Sequence, residues 1–221
     1  MKLDKLFLTG CDIKTEWQLP WFLNNYLKHN HSIPIWVADF GMSEEMIGHL
    51  ESVNIKVFSF HGKLPANNGT KGWFKKPRAI YEATYWASTV CWLDTDCQVT
   101  GDLSSIFNYY VGGKLGMVKD RPWTTRRPEN GTWYNSGVVV SDHNWNLRNW
   151  LLACESAPID GDQEVLHNSL TEIQKLSVIE PLPHTYNTLR IDYIDNIAVE
   201  NPLIIHHTGE KGNNTIRAMM K

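Results

Sequence analysis

The chain's first hundred residues alternate short apolar runs with helix-like stretches, and this pattern constrains the fold more than any other feature. Lys5-Leu6-Phe7-Leu8-Thr9 reads as a strand that stops at Gly10, and a helical stretch follows from Glu16 to Asn30. Ile33 to Ala38 reads as a second strand, after which Ser43-Glu44-Glu45 offers an N-cap and an acidic first turn for a helix. Lys56 to Phe60 predicts a third strand, His61 to Gly72 a Gly/Asn/Pro/Lys loop, Pro77 to Ser88 a helix, and Thr89 to Leu93 a buried strand. Repeated strand–helix–strand units build a mostly parallel, Rossmann-like α/β sheet with helices on both faces, and ligands bind at the carboxyl ends of its strands.

The second half carries the pattern on less regularly. Leu115 to Lys119 and Tyr134 to Val140 read as strands separated by a polar loop, Asp120 to Trp133. Helices are expected from Asn144 to Cys154 and after Asp160-Gly161-Asp162-Gln163. From Pro181 onward the chain reads as irregular except for Leu203-Ile204-Ile205, which runs into His206-His207. No linker or internal repeat divides the 221 residues, so one domain is expected.

Charge and cysteine usage exclude several classes of function. Lys and Arg number 21 against 24 Asp and Glu, so no global basic field exists to hold nucleic acid. Cys11, Cys91, Cys97 and Cys154 form no CxxC pair and read as buried thiols. No apolar run reaches a membrane-spanning length and Met1 to Thr9 lacks a signal-peptide core, so a soluble, cytoplasmic protein is expected. Without an export signal, the sequons at Asn68, Asn130 and Asn213 read as chance occurrences. The 10 Trp suit packing or stacking on sugars and bases, and composition does not separate the two.

The chemistry concentrates at strand ends. Asp94-Thr95-Asp96 follows the apolar strand directly, and residues two apart on extended chain point the same way, so both carboxylates can face one cation. Oxygen ligands of this kind suit Mg²⁺ or Mn²⁺ together with substrate phosphates, although two acidic residues can equally begin a turn. His206 ends an apolar strand close to Gly209 and Lys211, bringing together an imidazole, a flexible turn and a cation. Asn135-Ser136-Gly137 precedes an apolar strand and suits hydrogen bonding to sugar hydroxyls, while Asp162-Gln163 opens a helix either as site residues or as its cap.

Taken in order, these segments resemble the retaining glycosyltransferases of family 8, which include glycogenin and the bacterial lipopolysaccharide galactosyltransferases. The matching motifs are Thr9-Gly10-Cys11-Asp12, Asp39 to Glu45, Leu93-Asp94-Thr95-Asp96, Tyr134-Asn135-Ser136-Gly137-Val138, Gly161-Asp162-Gln163 and His206-x-x-Gly209, together spanning nearly the whole chain. The resemblance implies a GT-A nucleotide-diphospho-sugar transferase fold in a single domain over 1–221, with 1–100 binding nucleotide and 101–221 serving donor sugar and acceptor. It implies a UDP-sugar donor, a glycan, lipid-linked or protein acceptor, and Mn²⁺ or Mg²⁺ held by Asp94, Asp96 and His206. Thr9 and Asp12 would line base and ribose. Arg78, 16 residues before Asp94, would contact the donor, with Thr95 and Ser136 beside it. Asn135, Asp162 and Gln163 would meet the donor sugar as catalytic groups, and Gly209 and Lys211 the diphosphate.

Two features depart from the family pattern: Lys211 follows Gly209 by two positions where three are usual, and His207 stands ready as ligand if the strand ends one residue later. Leu93 to Val99 also resembles the first motif of haloacid-dehalogenase-type phosphatases, but that motif belongs on a first core strand and three expected strands precede it here. A nucleotide-sugar-binding protein without transfer activity is the remaining alternative.

Overall fold

The computed structural model describes residues 2–30, 32–59, 75–157 and 160–221. Four strands, β1 (Leu3–Cys11), β2 (Ile35–Asp39), β3 (Lys56–Phe58) and β4 (Ala87–Leu93), lie parallel in the spatial order β3-β2-β1-β4. The sheet continues through β7 (Tyr134–Ser141), antiparallel to both β4 and β6 (Leu115–Lys119), and ends at β8 (Ile179–Leu182), which is parallel to β6. A second sheet orders β5 (Cys97–Val99), β10 (Ile204–His206) and β9 (Thr188–Leu189).

Alternation along β1 builds both faces. Phe7 packs on one side against α1 (Leu19–His29), through Phe22 and Tyr26, and α2 (Glu44–Ser52), through Leu50. Leu6 and Leu8 pack on the other against α3 (Lys75–Ala83), α5 (Trp145–Ser156) and α6 (Asp162–Asn168), where Ile80, Trp150 and Leu166 are buried. Ser43 caps α2, its hydroxyl accepting from the Met46 amide at 3.2 Å, as its place before two glutamates predicts. Asn144 does the same for α5 through the Leu147 amide. The four cysteines are buried and unpaired. Among the described residues no helix is long and apolar enough to cross a membrane.

Several expectations need correction. The helix near Pro77 to Ser88 is α3, which begins two residues earlier and ends at Ala83. Its proline occupies the first turn, where its missing N–H costs nothing. The stretch from Asp120 to Trp133 contains α4 (Arg121–Arg126), capped by Asp120, and a 3₁₀ turn over Pro128–Asn130. The tail is ordered: β8, β9, α8 (Arg190–Ile194) and α9 (Gly209–Met219) all lie at or within the stretch read as irregular, β10 takes up the expected run at Leu203 to Ile205, and α7 (Glu172–Val178) precedes them. Pro181 lies within β8, but β8 is an edge strand, where a missing donor is tolerated. The loop His61 to Gly72 and the sequon at Asn68 lie outside the described residues.

Candidate active site

Two adjoining clefts open at the carboxyl end of β4, sharing Lys76, Asp94, Asp96 and Gly209 along their common border. The first, of about 430 Å³, also meets Asp120, Asn135, Ser136, Asp162 and Gln163. The second, of about 370 Å³, runs over Gly10, Cys11, Asp12, Phe40, Lys75 and Thr95.

The two aspartates leave the sheet on a tight turn between β4 and β5, closed by the Cys97 amide donating to the Asp94 carbonyl at 3.0 Å. The turn, rather than strand alternation, brings both carboxylates to one side. Nε2 of His206 lies 3.0 Å from Asp96 Oδ1 and 4.0 Å from Asp94 Oδ2. Its other ring nitrogen, Nδ1, pairs at 3.0 Å with Oδ1 of Asn187. A carboxamide oxygen only accepts, so Nδ1 carries its proton and Nε2 is the nitrogen presented to the aspartates. Burial alone would lower the His206 pKa, but the Asp96 carboxylate outweighs it and raises the value. In return, His206 draws Asp96 below its ordinary value against its burial, while burial raises Asp94. His207 points elsewhere, with Nε2 against Gln98 Oε1 at 3.0 Å and its ring against Trp21.

Two carboxylates and an imidazole whose second nitrogen is already held suit a divalent cation such as Mn²⁺ or Mg²⁺. The Cys97 thiol lies near Asp96 and His206, but burial and then the neighbouring aspartates push its pKa well above the ordinary value. Its Sγ also lies 3.9 Å from the Gly137 carbonyl, and as a soft donor it suits Mn²⁺ or Mg²⁺ less well than the carboxylates do.

Behind the aspartates a buried lysine joins the clefts. Lys76 Nζ lies 3.0 Å from Asp94, 3.2 Å from Asp162, and donates to the carbonyl and hydroxyl of Ser136 at 3.1 and 3.2 Å. Burial alone would lower its pKa, but Asp162 and Asp94 raise it, so the group is a fixed cation. Asp94 is further held by Trp92 Nε1 at 2.6 Å. Amides complete the first cleft. Asn135 Nδ2 donates to Gln163 Oε1 at 3.1 Å and to Asp120 Oδ2 at 3.3 Å, while Asn187 Nδ2 donates to Asn135 Oδ1 at 2.8 Å. Asp120, Asn135, Asn187 and His206 thus form one continuous hydrogen-bonded chain from the first cleft to the imidazole beside the aspartates. Gly137 makes room for it: a Cβ there would lie 2.5 Å from His206 Nδ1 and 2.9 Å from Asn135 Oδ1.

Three of the sequence-derived positions do not reach the clefts. Arg78 pairs instead with Glu82 at 2.7 Å and Glu155 at 3.0 Å on the α3–α5 surface. Two helical residues span about 200°, so Lys76, not Arg78, faces the aspartates. Thr9 is fully buried inside β1 and borders neither cleft. Lys211 is exposed on α9 and also borders neither, whereas Gly209, at φ +72°, borders both. Asp12 borders the second cleft, its Oδ1 accepting from the Lys14 and Thr15 amides. Thr95 borders it too and donates to Gln18 Oε1 at 2.6 Å. Lys76, Asp120, Asn187 and Gln18 carried no motif in the sequence.

No protein-family model matches the chain, and no characterised protein matches it by sequence. Solved structures do resemble it. The galactosyltransferase LgtC, in complex with donor and acceptor sugar analogues, superposes with a TM-score of 0.67 at 14% identity over 92% of this chain and 87% of LgtC. GlyE of Streptococcus pneumoniae gives 0.67 at 18% identity over 94% of this chain and 55% of GlyE, and mouse xyloside xylosyltransferase 1 gives 0.59 at 12% over 93% and 97%. The chain therefore has the GT-A glycosyltransferase fold, and the phosphatase alternative falls with its topology.

Proposed function

We propose that the protein is a metal-dependent glycosyltransferase that moves a sugar, most simply a hexose from a UDP-hexose, to an acceptor hydroxyl with retention of anomeric configuration. The observation that carries this reading is the convergence of Asp94, Asp96 and a pre-oriented His206 at the border of two clefts in a GT-A fold. The cleft bearing Asp12 and Phe40 takes the nucleotide and the one bearing Asp120, Asn135, Asp162 and Gln163 takes the sugar.

Asp94, Asp96 and His206 would hold Mn²⁺ or Mg²⁺, whose charge would offset that of the departing diphosphate. Lys76 holds Asp94 and Asp162 in place as a buried counter-charge. Asp162, with Lys76 fixing its Oδ2, presents negative charge to a sugar that gains oxocarbenium character. Asn135 and Gln163 orient the sugar's hydroxyls through an amide pair already locked to Asp120. The acceptor hydroxyl, on a glycan, a lipid-linked glycan or a protein, enters over the open side of the first cleft.

Calorimetry of UDP with Mn²⁺ and with chelator tests the reading. Much tighter binding with Mn²⁺, lost in Asp94→Asn and Asp96→Asn, supports it. Equal affinity under both conditions refutes it. Binding of a UDP-hexose with neither hydrolysis nor transfer to any acceptor would favour the non-catalytic alternative over a transferase.

A further inference from the structure

The nucleotide-side cleft has a charge arrangement that the family motifs do not anticipate. Asp12, Asp94 and Asp96 border it against two lysines from the first turn of α3, Lys75 and Lys76. Lys76 is fully engaged by Asp94, Asp162 and Ser136. Lys75 is different: its Nζ donates to the Phe40 carbonyl at 2.8 Å and lies 5.9 Å from the Phe40 ring centroid, and among the described residues it makes no ion pair. An ammonium carries three donors, so a single carbonyl leaves capacity to spare.

Lys211, the residue matched to the diphosphate by resemblance, is exposed and borders neither cleft, although Gly209 two residues earlier borders both. On a helix starting at Gly209, two residues turn the side chain about 200° away, whereas a third would bring the direction closer to that of the glycine. The departure in spacing therefore has a structural outcome: the C-terminal lysine is removed from the cleft.

We propose that Lys75 is the cation that holds the diphosphate of the nucleotide, in the role the motifs give to Lys211; the assignment rests on the nucleotide-sugar reading above. With Asp94 and Asp96 neutralised by a divalent ion and Asp162 by Lys76, the diphosphate adds anionic charge for which Lys75, in no ion pair among the described residues, is the partner. Exchange of a neutral carbonyl for a phosphate oxygen gives Lys75 a charge-assisted hydrogen bond and costs only a rotamer change in a long, flexible side chain.

The test is calorimetry with UDP and with GDP at saturating Mn²⁺, alongside uridine and guanosine, on the wild type and on Lys75→Met, Lys75→Arg and Lys211→Met, with circular dichroism to confirm folding. Lys75→Met is expected to weaken the diphosphate that binds by about tenfold or more, the worth of one charge-assisted hydrogen bond. Lys75→Arg should recover most of that loss. Nucleoside affinity in Lys75→Met, and diphosphate affinity in Lys211→Met, should stay within about twofold. The assignment is overturned if Lys75→Met leaves diphosphate affinity intact, if it weakens nucleoside and diphosphate equally, or if Lys211→Met carries the loss. A wild type that binds neither diphosphate overturns the nucleotide-sugar reading itself.

Discussion

Replacing Gly137 with alanine tests the proposed metal site separately from the rest of the fold. The added Cβ would lie 2.5 Å from Nδ1 of His206 and closer still to Cε1, so something must yield by about 1 Å to reach ordinary contact. Strand β7 is poorly placed to do so: the Gly137 carbonyl accepts from the Asp94 amide at 2.8 Å, and Val138 pairs with Leu93 in the middle of the large sheet. The imidazole is the softer element. Swinging it away breaks its 3.0 Å contacts with Asn187 and Asp96 together. Overpacking of this kind costs about 1–3 kcal/mol of stability, and loss of ligand orientation lowers metal affinity by about 10–100-fold. Mn²⁺ titration by calorimetry together with urea unfolding reads both effects. Gly48→Ala, in α2 with open space around its Cβ, is the control and should be neutral or stabilising by up to about 1 kcal/mol. Unchanged Mn²⁺ affinity in Gly137→Ala would refute the placement of His206 in the metal site.

Three further outcomes follow from the same geometry. Asp162→Asn should lower turnover by orders of magnitude with little change in nucleotide affinity, because the group would act on the sugar's developing charge; steady-state kinetics beside calorimetry separates the two, and retained turnover would return Asp162 to a helix-start role. His206→Ala should abolish Mn²⁺-dependent binding and His207→Ala should not, since only His206 Nε2 faces Asp94 and Asp96; the reverse pattern in calorimetry would shift the ligand by one residue. His167 has its pKa lowered to about 4 by burial, with Nε2 accepting from the Tyr134 amide. Its folded value lies below the unfolded one, so stability is complete above about pH 6.5 and falls as pH drops toward 4, by up to about 3 kcal/mol. Urea unfolding of His167→Gln should lack that part of the pH slope, and parallel slopes would contradict the assignment.

The first half of the fold was legible because its signals are local. β1, β2 and β4 are short apolar runs with clear ends, and Ser43 caps α2 through a contact three residues away. The D-x-D turn and His206 were legible as motifs. What was missed depends on helix phase or long-range contact. Arg78 and Lys76 are equally basic in the sequence, and only the rotation of α3 decides which one meets Asp94. Asn187 bonds Asn135 from 52 residues away and Gln18 bonds Asn213 from 195, distances at which spacing carries no information. Pro181 hid β8, an edge strand. Lys211 was flagged by its spacing, and the turn of α9 gives that irregularity its consequence.

The central claim, that these residues assemble a metal-dependent retaining glycosyltransferase, is tested most directly by proton NMR of the protein incubated with α-linked UDP-hexoses and Mn²⁺. The prediction is release of UDP that stops on adding chelator, with freshly transferred or hydrolysed sugar appearing first as the α anomer. A β anomer appearing first would contradict retention and recast Asp162 or Asp160 as a general base. No cleavage of any nucleotide sugar in the presence of Mn²⁺, by a protein that is folded, would contradict the enzymatic assignment altogether.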